Sequence, residues 1–183
     1  MILARAVAAV AIVASLAASV DTQEPAYPLS QRGSVMQKVA FTEISVAYGR
    51  PTARGRVLFG KGGVVIYGRM WHPGADSATR ISFSQDVEVE GRAVKAGEYS
   101  IWLIPRDSAA WTFILNRQAH TFHTHYPGER NDALRVEIMP EHGAYMETLA
   151  YYFPVVSGDS TVMRIHWGET MLPVRITAAF TPR

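Results

Sequence analysis

From residue 34 onward, apolar and polar residues alternate along most of the chain, the period-2 signature of strands that bury one face. The last stretch is the clearest. Leu172, Val174, Ile176, Ala178 and Phe180 share one face, while Pro173, Arg175, Thr177 and Ala179 share the other. Just before it, Met163, Ile165 and Trp167 point one way and Val162, Arg164 and His166 the other. Gly168-Glu169 between the two runs predicts a turn, and hence a C-terminal hairpin. Similar runs occur at Thr79–Phe83, Val87–Glu90, Tyr99–Ile104, Trp111–Asn116, Leu134–Ile138 and Tyr145–Phe153. Glu90-Gly91-Arg92, Ala96-Gly97 and Pro105-Arg106-Asp107-Ser108 supply the turn chemistry between them.

Two details refine this pattern. Val35, Val39 and Phe41 occupy odd positions, whereas Ile44, Val46 and Tyr48 occupy even ones. A one-residue slip turns a strand inside out, so the change of phase predicts a bulge or a change of sheet near Thr42-Glu43. In Tyr99–Ile104 both faces are apolar, which predicts a central strand covered on both sides. Nine or ten short strands need two packed layers to bury their apolar faces. The expected fold is therefore all-β: an antiparallel β-sandwich, jelly-roll or immunoglobulin-like, with little helix. No internal repeat or low-complexity tract interrupts it.

The beginning of the chain reads differently. Arg5 precedes an apolar run from Ala6 to Ala18, shorter than the roughly 20 residues that span a bilayer. Small residues at Ala17, Ala18 and Ser19 lie just before polar Asp21 and Thr22, the layout of a cleavable signal peptide over residues 1–19. Residues 20–33, with Pro25, Pro28 and Gly33, read as a flexible lead-in, and residues 34–183 as a single domain. The expected destination is the periplasm or the extracellular space, with no membrane contact once the leader is removed.

Composition narrows the chemistry. The chain contains no cysteine, which excludes disulfides, thiolate nucleophiles and a lipidated cysteine. A domain of this length buries about 70% of its unfolded surface without such cross-links. Removing residues 1–19 takes away only Arg5 and leaves 17 basic against 16 acidic side chains, a net charge of +1. That balance, without Lys/Arg clusters, offers no electrostatic footprint for nucleic acid.

The stretch from Tyr48 to Asn116 carries Arg50-Pro51, Gly55-Arg56, Phe59-Gly60 and Tyr67-Gly68 with Trp71. It continues with Gly74-Ala75-Asp76, Ala78-Thr79 and Lys95-Ala96-Gly97-Glu98-Tyr99-Ser100. In that order these motifs closely resemble a family of exported bacterial proteins, domain-of-unknown-function family 2911. The resemblance covers nearly the whole chain after the leader, weakest beyond Asn116. It implies an exported all-β domain and carries over no catalytic residue. Two positions depart from the family's pattern: Asp76 stands where Asn is usual, and His72-Pro73 where Arg-Thr is usual.

Two clusters are candidate sites. The first gathers Arg50, Arg54, Arg56, Tyr67, Arg69, Trp71, His72 and Asp76 between the strands ending near Arg50 and starting near Thr79. Arginine forks onto carboxylate, phosphate or sugar hydroxyls, and Trp and Tyr stack on sugar faces. The same residues equally suit a structural role, with arginines capping loop carbonyls and aromatics filling the core beneath. The second cluster is His120, His123 and His125. In extended chain His123 and His125 share a face, a spacing that suits zinc or copper, and surface histidines without a metal fit the pattern as well.

Catalytic motifs are lacking: there is no Gly-x-Ser-x-Gly elbow, no His-Glu-x-x-His helix and no phosphate-binding glycine loop. Glu88, Glu90, Glu141 and Glu147 sit at polar strand positions where carboxylates are ordinarily solvated. The leading expectation is a non-catalytic module of the bacterial envelope that binds a glycan or small anion through Arg50, Arg56, Tyr67, Arg69, Trp71 and Asp76. The alternatives are a hydrolase using Asp76 and His72 as acid and base, and a metal-binding protein using His120, His123 and His125.

Overall fold

The computed structural model describes residues 28–178. The proposed leader and Phe180 lie outside the described residues. Among the described residues, ten strands form two antiparallel sheets. Strands β1 (Gln31–Val39), β2 (Thr42–Arg50), β3 (Arg80–Phe83), β6 (Gly97–Ile104), β7 (Trp111–Asn116) and β8 (Asp132–Ile138) make a six-stranded sheet in the order β1-β2-β3-β6-β7-β8. Strands β4 (Val87–Val89), β5 (Arg92–Val94), β9 (Glu141–Ser157) and β10 (Ser160–Ala178) make a four-stranded sheet in the order β5-β4-β10-β9. One 3₁₀ turn, Glu129–Asn131, is the only helical element among the described residues. The sheets pack face to face as an open sandwich, as the alternation predicts.

The core lies between them. Ile44, Val46, Ile81, Ile101, Phe113 and Leu115 from the larger sheet meet Leu149, Met163, Ile165, Leu172, Val174 and Ile176 from the smaller one. Strand β6 occupies the expected central place, hydrogen-bonded to β3 and β7. Its Tyr99, Ile101 and Leu103 belong to the inter-sheet core, and Trp102 is buried on the opposite face. That second face is covered by loops, and there the candidate site is built.

Three expectations need correction. Strand β1 begins at Gln31, so the stretch read as a lead-in ends before Gly33. The change of phase near Thr42 is a tight hairpin turn, not a bulge. Val39 pairs with Thr42 across Ala40-Phe41, Ala40 takes φ +48°, and Phe41 stands in the turn 68% exposed. With a two-residue connection, odd residues of β1 face even residues of β2 on one side of the sheet, so the switch of parity follows from the hairpin itself. At Gly168 the reverse holds. The expected hairpin turn is a bulged point inside one continuous 19-residue strand, β10. Its pairing with β9 shifts register around Gly168, which has φ +58°, and the shift moves the buried phase from Met163, Ile165 and Trp167 to Leu172, Val174 and Ile176.

Candidate functional site

Nearly thirty residues connect β2 to β3, and within them the chain touches the edge of β6 at Trp71. Trp71 and Leu103 exchange backbone hydrogen bonds at 2.7 and 2.8 Å. This short bridge gives consecutive side chains opposite directions, as in any strand. Trp71 packs inward: its ring stacks on Trp167, with centroids 6.2 Å apart and planes 16° from parallel, and meets Phe59 and Trp111 edge-on. His72 turns to the outer face, where its ring lies 5.7 Å from that of Trp102.

His72 is 4% exposed, and its neighbours fix its tautomer. The backbone N–H of Thr79 points at Nε2. An amide N–H only donates, so Nε2 is the acceptor and the ring proton sits on Nδ1. Burial, with smaller contributions from His123 and Arg32, lowers the imidazole pKa from 6.5 to about 3 and keeps the ring neutral. Nδ1 is buried without a hydrogen-bond partner among the described residues.

The turn from Pro73 to Thr79 is held from both sides. The Pro73 carbonyl accepts hydrogen bonds from Thr79 Oγ1 at 2.9 Å and from Tyr151 Oη at 2.8 Å, the latter arriving through the core from β9. Gly74 leaves room for the ring: a Cβ there would stand 2.7 Å from His72 Cε1. Asp76 adopts φ +64°, and its carbonyl accepts the N–H of His123 at 3.1 Å. Ser77 and Phe122 form an isolated bridge, and the Ala78 N–H donates to the Thr121 carbonyl. A seam thus joins the 73–79 turn to the 117–131 loop above the sheet.

On one side of this seam lies a cleft of about 510 Å³ walled by Trp71, His72, Asp76, Trp102, His123 and Tyr126. The His123 ring is 6.0 Å from that of His72, and the Tyr126 ring is 5.5 Å from that of Trp102. Tyr126 Oη donates to Asp132 Oδ2 at 2.6 Å and accepts from Arg135 Nη2 at 3.0 Å. Burial and the Asp132 carboxylate push its pKa up to about 12, so it stays a neutral aromatic wall.

The structure divides the sequence-predicted residues. Asp76 and His72 reach the cleft, while Trp71 borders it with its ring packed inward and shares a smaller recess of about 160 Å³ with Arg54 and Arg56. Arg56 caps its own loop, donating to the Ala53 and Thr52 carbonyls at 2.9 and 2.7 Å. Arg54 donates to the Leu29 carbonyl. Arg50 lies across Gly33 and donates to the Leu149 carbonyl at 3.4 Å. Tyr67 packs over Gly60, where burial and Asp107 raise its pKa, and Arg69 is exposed.

The three histidines also separate. His120 joins Arg80 and Glu98, His123 enters the cleft, and exposed His125 pairs its Nδ1 with Thr124 Oγ1 at 3.0 Å. Among the described residues, no group of three His, Asp or Glu side chains is arranged to hold a metal ion. Trp102 and Tyr126 are lining residues that the sequence did not single out. An outward-facing Trp on a central strand was the available signal for the first; the second depends on how an irregular loop folds back.

A family model described as "Protein of unknown function (DUF2911)" matches residues 30–176, from just before β1 to near the end of β10. The chain belongs to this family. The match therefore includes both sheets, the seam and the cleft of this DUF2911 chain. No curated protein and no solved structure matches it.

Proposed function

We propose that this DUF2911 chain is a non-catalytic ligand-binding module of the bacterial cell envelope, and that its cleft holds a small polar ligand such as one unit of a glycan. The observation that carries this reading is the composition of the cleft: aromatic walls around a buried His72 whose Nδ1–H has no partner. The volume falls in the range of small-ligand sites, and the half-buried rings of Tyr126 and His123 supply flat faces for a sugar ring.

The chemistry of the walls favours binding over turnover. Asp76 is the one carboxylate lining the cleft among the described residues, and His72 has a depressed pKa and its Nε2 already engaged. A general acid and base both poised near neutral pH are not at hand. Export to the envelope is supported by the residue pattern of the leader.

The test is a thermal-shift and calorimetric screen of the protein against envelope glycans. His123→Ala and Asp76→Ala, which alter cleft side chains without cutting the core, should each weaken any hit. Arg50→Ala, outside the cleft, should not. A hit that ignores both cleft variants would rule this site out.

A further inference from the structure

On the other side of the seam a second recess of about 360 Å³ opens over the six-stranded sheet. It shares no lining residue with the cleft. Arg32 on β1 and Arg80 on β3 both line it. Register places them on one face: Arg32 is opposite Gly49 and Arg80 opposite Ala47, and these two β2 residues point outward together. Two strand spacings and a two-residue offset along the strand separate their backbones by about 12 Å, a gap that two long guanidinium side chains can span from either side. Gly49 is covered by the backbone of Ala75, whose carbonyl oxygen would clash with an added Cβ, so the 73–79 turn lies directly against this part of the sheet. Ser77 and Thr121 stand at the rim, and Phe122, 57% exposed, forms an apolar wall.

The bonding of Arg80 is unusual for its burial. Among the described residues Arg50, Arg106, Arg135 and Arg164 are also half-buried, and each donates to at least one oxygen. Arg80 reaches none. Its Nη1 donates to His120 Nδ1 at 3.1 Å, and His120 Nε2 donates to Glu98 Oε2 at 3.1 Å. Glu98 thus reaches Arg80 only through the imidazole, and no other guanidinium N–H of Arg80 has a hydrogen-bond partner among the described residues. No side-chain hydrogen bond or ion pair engages Arg32 among the described residues. Two guanidinium groups that line one recess and bond no carboxylate directly offer the forked donors that bind an oxyanion.

We propose that the Arg32–Arg80 recess binds the carboxylate or phosphate group of a small organic anion, with Phe122 against its carbon skeleton. The site is separate from the cleft, so either can fail alone.

The test is an NMR titration of the full chain with inorganic phosphate and, in parallel, acetate, at constant chloride. Saturable shifts at the Arg80 and His120 side chains are expected, and the tighter of the two probes identifies the anion class. Arg32→Ala with Arg80→Ala should weaken binding at least about tenfold. Arg80→Lys, which keeps the charge but loses the fork, should also weaken it while preserving the fold. Tyr126→Phe, on the far side of the cleft, should leave it unchanged. Shifts that do not saturate with either probe, or an affinity indifferent to both arginine changes, would overturn the proposal.

Discussion

The cleft depends on a single carbonyl. Pro73 C=O accepts from Thr79 Oγ1 at 2.9 Å and from Tyr151 Oη at 2.8 Å, and Thr79 and Tyr151 are 0% and 3% exposed. Thr79→Val or Tyr151→Phe removes one donor and leaves the other in place. Each single change should therefore cost about 1 kcal/mol, the net worth of one neutral hydrogen bond. The double variant strands a buried carbonyl with no donor, and an unsatisfied buried acceptor adds a desolvation penalty of about 1–3 kcal/mol. The expected total is about 3–5 kcal/mol, more than the sum of the singles. Urea denaturation at constant m measures it, and a single change should lower Tm by about 2–4 °C in a domain of this size. Singles that add to the double within about 0.5 kcal/mol would refute a shared carbonyl, since independent sites add to that precision.

Other outcomes follow from the same geometry. The folded-state pKa of His72, about 3, lies below its ordinary 6.5, so as pH falls through that interval the unfolded chain takes up a proton that the folded chain refuses. Stability should decline from pH 6.5 toward 3, and His72→Gln should remove that part of the slope in denaturation curves measured at each pH. Gly74→Ala, whose Cβ would crowd His72 and Thr79, should destabilise by about 1–3 kcal/mol and shift the His72 ring resonances. Gly168→Ala combines an unfavourable left-handed φ with a Cβ 2.7 Å from Leu58 Cδ1, and should lower Tm with a loss of about 1 kcal/mol or more.

The strands were legible because alternation records burial directly. Tyr99–Ile104 reads as a doubly covered strand, and β6 is one. The two misread connections share one cause. A two-residue turn and a one-residue bulge both flip the parity of the buried face, so the slip at Thr42 and the slip at Gly168 look alike in sequence. What separates them is the partner strand. Long β9 offers backbone partners on both sides of Gly168, whereas β1 has β2 itself to fold back on. The candidate site was half legible. Trp71, His72 and Asp76 fall in a segment rich in recognition residues, but the arginines beside them bond mainly to loop carbonyls.

The sequence by itself determined the sandwich, the central place of β6 and the family, because periodicity and ordered motifs are local properties of the chain. Only tertiary structure decided that His72 faces Trp102 with its proton on Nδ1. It also brought His123 to the first cluster and His120 to Arg80. Those neighbours come from loops some forty to fifty residues apart, zipped together by backbone bonds such as His123 N–H to Asp76 C=O. Backbone pairing of this kind is almost indifferent to side-chain identity and leaves little trace in a single sequence.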